Sequence, residues 1–139
     1  MEKMTAEGGS SVVLSIKNGY IAEQKFILAA MENNLVVSKP ITNAERYDFV
    51  IDGGNGLKSI QVKKSFPDGK GRNVVCLRSR YPRSTLRHTL SRYVDYLAVV
   101  CEEEGCFYII PTSVLAGIAS NVCVKRNGKY ESFRDNWDI

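Results

Sequence analysis

The 139-residue chain holds one histidine, and none of its four cysteines forms a CxxC pair. Cys76, Cys101, Cys106 and Cys123 therefore lack the spacing and the partners of a structural zinc site. No apolar run approaches the roughly 20 residues that a membrane-spanning helix requires. The only apolar patch near the N-terminus, Ser11 to Ile16, lacks the basic start and small-residue cleavage site of a secretory signal. The expectation is a cytoplasmic protein with no membrane partner. Repeats and low-complexity segments are absent as well, and 44% hydrophobic residues exclude a disordered chain. A single domain over residues 1–139 follows from that length.

Acid is scarce in one place. Between Lys58 and Arg92 there are ten basic residues and one acid, Asp68, a balance of +9 in a chain whose total is +4. The rest of the chain must then carry −5, so the basic charge is confined to one segment. Such confinement points to a polyanion surface, nucleic acid above all, more than to a solvated face.

What is present reads as one helix followed by hairpins. Asn18 is a credible N-cap, and Tyr20, Ile21, Ala22, Phe26, Ile27, Ala30 and Met31 recur at helical spacing up to Asn33-Asn34. Residues 1–17 read as a lead of uncertain structure, with Val12 to Ile16 either a short strand or the approach to the helix. Leu35 to Ser38 is a short strand closed by Pro40. Tyr47 to Asp52 and Leu57 to Ser65 make a hairpin around Gly53-Gly54-Asn55-Gly56, a turn that leads into no helix and so does not cradle phosphate. Phe66 to Asn73 reads as a loop and Val74 to Arg78 as a strand. Ser79 to Tyr93 is a loop or short helix. Tyr96 to Cys101 and Cys106 to Ile110 form a second hairpin, split by an acidic turn read as solvated. Cys101 and Cys106 would face each other there as free buried thiols, since a disulfide would need an oxidising compartment. Pro111-Thr112-Ser113 can start a short helix, and residues 119–139 form a C-terminal extension with one more strand. The order implies an α/β (mixed α+β) layer fold around one sheet.

The first hairpin carries the chemistry. Side chains alternate along a strand, so Gln61 and Lys63 share one face while Ile60 and Val62 take the other. Asp48 lies 13 residues before Gln61, and Glu23 lies 25 residues before Asp48, at the edge of the helix's apolar stripe. For Glu23 alone a solvent-facing acid is the favoured reading. Asp48 is harder to dismiss, because aspartate is depleted in strands. A carboxylate and an amine on adjacent strands suit metal-assisted attack on a phosphodiester.

Taken together, these segments resemble the PD-(D/E)XK nuclease superfamily. Gly19-Tyr20-Ile21-Ala22-Glu23 looks like its first helix, Arg46 to Asp52 like its metal-binding aspartate strand, and Gln61-Val62-Lys63 like its (D/E)XK strand. The glutamine, with Tyr93 to Val100 and Phe107 to Pro111, is similar to the group I intron-associated homing endonucleases of that superfamily. The resemblance implies a restriction-endonuclease-like core, a central mixed sheet flanked by helices. It implies Glu23, Asp48, Gln61 and Lys63 as catalytic residues. A divalent cation, Mg²⁺ or in its place Mn²⁺, would be held by Asp48, Glu23, Gln61 and the backbone carbonyl of Val62. Gln61 departs from the usual acid and leaves the metal count open. Lys64, Lys70, Arg72, Arg78, Arg80, Arg83, Arg87 and His88 would contact double-stranded DNA; for His88, phosphate contact or solvent exposure is favoured over catalysis. Cutting two antiparallel strands implies a homo-oligomer, a dimer or a tetramer. The rival readings are a Holliday-junction resolvase or restriction-type nuclease and, in another class, a non-catalytic DNA-binding module on a decayed nuclease fold.

Overall fold

A computed structural model describes the chain over residues 7–42, 45–77, 93–118 and 120–139. Helix α1 runs from Glu7 to Glu32, so Asn18 is an interior residue and not a cap. The apolar residues Val12 to Ile16 continue the helix instead of leading into it. Val12, Val13, Leu14 and Ile16 are all exposed, so no core contact forces this extension. The C-terminus ends as the two asparagines predict. Asn34 adopts φ 63, its N–H donates to Met31 at 3.0 Å, and the Leu35 N–H reaches back to Ala30 at 3.0 Å. This is the paired closure that a left-handed residue after a helix allows. The Asn33 side-chain amide takes the Ala29 carbonyl at 2.8 Å.

Five strands form the main sheet: β1 (Val36–Ser38), β2 (Phe49–Asp52), β3 (Leu57–Lys64), β6 (Tyr96–Cys101) and β7 (Cys106–Pro111), in the spatial order β1-β2-β3-β6-β7. All neighbours are antiparallel except β3 and β6, which run parallel. Parallel pairing demands a long crossover, and the intervening chain supplies it. Asp95 fixes that register: its N–H donates to the Ser59 carbonyl at 3.0 Å, and its carboxylate accepts the Ser59 N–H at 2.9 Å. The β2–β3 turn is closed by Asp52, which accepts the Gly54 N–H at 2.9 Å. Gly54 and Gly56 both sit at φ 95, a conformation open to glycine. A side chain at Gly53 would press on Leu35 and on the Ile139 carbonyl.

Strand β6 is apolar on both faces because both are covered. Ala98 and Val100 join Phe49, Ile51, Ile60 and Val62 beneath Ala22, Phe26 and Ala30 of α1. Phe26 stacks on Phe49 with centroids 5.7 Å apart and meets Trp137 at 5.6 Å. Leu97, Val99 and Cys101 face the other way, onto Val75, Val122 and Val124.

Those valines belong to a second sheet, which revises the expectation of one sheet. Strands β4 (Phe66–Pro67), β5 (Asn73–Cys76) and β8 (Asn121–Val124) pair antiparallel in that order. Among the described residues, α1 covers one face of the main sheet and this small sheet covers the other. The supposed loop at 66–73 is a tight hairpin held by Asp68, whose carboxylate accepts the Lys70 N–H at 2.8 Å, the Arg72 N–H at 3.2 Å and the Arg72 Nε at 2.7 Å. The C-terminal segment is part of the core, burying Tyr130 and Ile139. Thr112–Leu115 is a single 3₁₀ turn and not an α-helix. Cys101 and Cys106 are cross-strand partners, both buried and free, and burial pushes the Cys106 thiol up to about 12.

Candidate active site

The site begins where β2 stops and β3 continues. Phe49, the first residue of β2, pairs with Ile60, and the Asp48 N–H donates to the Ile60 carbonyl at 2.8 Å. Beyond that point no strand lies beside this edge of β3 among the described residues. The Asp48 carboxylate takes that place and accepts the Val62 N–H at 2.8 Å. In an extended strand the N–H and C=O of one residue point to the same edge, so the Val62 carbonyl opens into the same corner. Ile60 and Val62 are locked into the core under α1, which turns Gln61 and Lys63 to the opposite face, both half-buried.

Glu23 arrives from α1. It is half-buried and shares a cleft of about 400 Å³ with Asp48, Lys39, Tyr20, Glu45 and Tyr47. Burial raises the pKa of its carboxyl, the Asp48 charge raises it further, and Lys39 opposes the rise. For Asp48 the upward push of burial prevails over the Val62 hydrogen bond and the charges of Lys63 and Lys39. Two carboxylates that disfavour each other's charge form a cation-seeking corner. Gln61 and Lys63 approach from β3, outside the walls of the cleft, and Lys63 is near enough for its charge to act on Asp48.

Sequence reasoning missed Lys39. The signal lay in the pairing register: Ser38 opposes Val50, so the residues just after β1 arrive level with Asp48.

The basic residues behave differently from one another. Lys64 shares the face of Ile60 and Val62, opposite Lys63. Its amine lies 3.3 Å from Glu102, whose other oxygen is 3.4 Å from Lys25. Lys64 therefore already has a protein partner, and Glu102 is no mere solvated turn. Glu104 likewise accepts the Asn73 side-chain amide at 2.8 Å, tying the β6–β7 turn to the small sheet. Arg72 pairs with Asp68 at the surface, and Lys70 is exposed on the same turn. Arg78, Arg80, Arg83, Arg87 and His88 lie outside the described residues.

A model of the PD-(D/E)XK endonuclease family matches residues 15–136, which takes in α1 from Ser15, the Asp48 corner and both sheets. The chain belongs to the PD-(D/E)XK endonuclease family. This PD-(D/E)XK chain is also similar to the solved structure of a bacterial homing endonuclease, I-Ssp6803I. The two share 28% identity and a TM-score of 0.69, over 86% of this chain and 85% of that one. No curated protein matches it. The mixed α/β layering with a central mixed sheet is similar to the fold of that homing endonuclease.

The oxygens at the PD-(D/E)XK corner are the Asp48 and Glu23 carboxylates, which line the cleft, and the Val62 carbonyl, while Gln61 lies on the opposite face of β3, outside the cleft walls. An all-oxygen set suits a hard cation such as Mg²⁺ and not a thiolate- or imidazole-seeking metal. Among the described residues, no three His, Cys, Asp or Glu side chains converge on a metal position. A cation here would thus depend on the backbone and the substrate to complete its shell. No described helix is long and apolar enough to cross a membrane.

Proposed function

We propose that this endonuclease is a divalent-metal-dependent DNA enzyme that hydrolyses phosphodiester bonds in double-stranded DNA. In this reading it is a site-specific homing enzyme encoded within an intron. The observation that carries the reading is the corner itself: the Asp48 carboxylate bound to the Val62 N–H at 2.8 Å, with the Lys63 charge acting on it and its own charge acting on Glu23. The homing role is supported by the 28% identity to a bacterial homing endonuclease.

Mg²⁺ would be held by Asp48, Glu23, Gln61 and the Val62 carbonyl, and when bound it supplies charge neutralisation at the phosphate and acidifies water. The chain's own groups do the rest. Asp48 is fixed by Val62, so its second oxygen is aimed without further ordering. Lys63 orients the attacking water and offsets the charge that grows on the phosphate. Gln61 contributes an oxygen with no charge, which weakens cation affinity relative to an acid at that position.

Purified protein should cut double-stranded DNA in Mg²⁺ or Mn²⁺ and lose all cutting in EDTA. Fragments from a long genomic substrate should share one site. Cutting at branched junctions only would favour a resolvase, and many short sites a restriction-type enzyme. Salt-sensitive binding without cleavage under any metal would favour the decayed binding module.

Two antiparallel strands need two sites, so the working form is a homo-oligomer. Helix α1 offers a surface for it: Leu14, Ile21 and Leu28 recur every seven residues and are 58%, 45% and 61% exposed. Such a repeat suits a second helix laid alongside. Light scattering should give a dimer or tetramer at micromolar concentration; a monomer that still cuts both strands would contradict this.

A further inference from the structure

Among the described residues, Lys39 is the one cation that lines the cleft, and the proposed chemistry does not use it. Lys39 follows β1, whose register with β2 carries it to the level of Asp48. It lines the same cleft as Glu23 and Asp48. Pro40 follows it, and a residue before proline is confined to extended conformations, which fixes where the side chain starts. Lys39 is exposed, and among the described residues no carboxylate lies within ion-pair distance of its amine. The ammonium instead stands 5.9 Å from the centre of the Tyr20 ring. Its charge nonetheless reaches both carboxylates, lowering the pKa of each.

A DNA phosphate entering this cleft is an anion approaching Glu23 and Asp48, with Glu45 a third acid on the cleft wall. Lys63 offsets that repulsion from the β3 side of Asp48. We infer that Lys39 does so from the β1 side, binding a non-bridging oxygen of a backbone phosphate in the cleft and thereby positioning the strand. The inference rests on the nuclease reading above, and it gives Lys39 a substrate contact that no ion pair among the described residues competes for.

The test measures DNA binding with Ca²⁺ in place of the catalytic metal, so that affinity is read without cleavage, for the wild type, Lys39→Gln and Lys39→Arg. Lys39→Gln should weaken binding about tenfold near 0.1 M salt and reduce the log–log salt slope by about 0.9, the share of one phosphate contact. Lys39→Arg should restore most of both. A Lys39 that only balanced the two acids would leave the slope unchanged. Wild-type slope and affinity in Lys39→Gln would overturn the inference while leaving the nuclease reading intact. A wild type with no salt-dependent DNA binding would overturn that reading, and the inference with it.

Discussion

Asp48→Asn is expected to lower the cleavage rate by about three orders of magnitude, or about 4 kcal/mol of barrier, while raising thermal stability near neutral pH. The two effects have one cause. The Asp48 carboxyl is held above the usual carboxylate range, first by burial, and Glu23 beside it is raised in the same way. A carboxyl with a raised folded-state pKa binds more protons folded than unfolded across the interval between the two values. Its stabilising contribution is therefore full below the ordinary carboxylate range, about pH 4, and is lost as pH rises through the folded value. At pH 7 the wild type bears the cost of both ionised acids, whereas asparagine has no charge to bury. Its side-chain oxygen can still accept the Val62 N–H. Melting curves should show the variant above the wild type at pH 7, with the gap closing as pH falls toward 4. A variant less stable at pH 7 would show that the Asp48 charge is compensated in the fold.

Phe26→Ala is expected to cost about 3–5 kcal/mol of folding stability, a large share of the roughly 5–15 kcal/mol that holds a domain of this kind. Phe26 is fully buried and joins three parts of the chain: it stacks on Phe49 of β2, touches Trp137 of the C-terminal segment, and belongs to α1 itself. Truncation leaves a cavity between α1 and the sheet. Glu23 stands one turn earlier on the same helix, so the seating of α1 by Phe26 also seats Glu23 in the cleft. Denaturant unfolding should show a lower midpoint with an unchanged slope. A loss below about 1 kcal/mol would mean that α1 is anchored elsewhere.

The β2–β3 hairpin is legible in the sequence because each of its signals is local. Alternation along β3 follows from strand geometry, the turn from its glycines, and the α1 terminus from the left-handed tolerance of Asn34. The start of α1 was not legible, because its first turns bury little and only local propensity, a weak determinant, reports on them. Asn18 resembles a cap in sequence, but a helix already under way has no use for one. The second sheet escaped notice for another reason. Its strands are two to four residues long, and β8 reaches β5 from far along the chain. Asp68, which reads as a loop acid, holds the hairpin that begins this sheet.

The basic segment shows how a charge count can blur geometry. Lys63 and Lys64 are neighbours in sequence but sit on opposite faces of β3, one beside Asp48 and the other against Glu102. Alternation alone would have separated them. Lys39 was hidden because its place at the cleft depends on a β1–β2 register that no local pattern reports.

A catalytic centre at Asp48 and Lys63 is tested by single-turnover cleavage of double-stranded DNA in Mg²⁺ by the wild type, Asp48→Asn and Lys63→Ala at matched concentrations. The wild type should cut, and both variants should remain folded and bind DNA but cut at least about a hundredfold more slowly. Cutting at the wild-type rate by either variant would contradict a catalytic centre at Asp48 and Lys63.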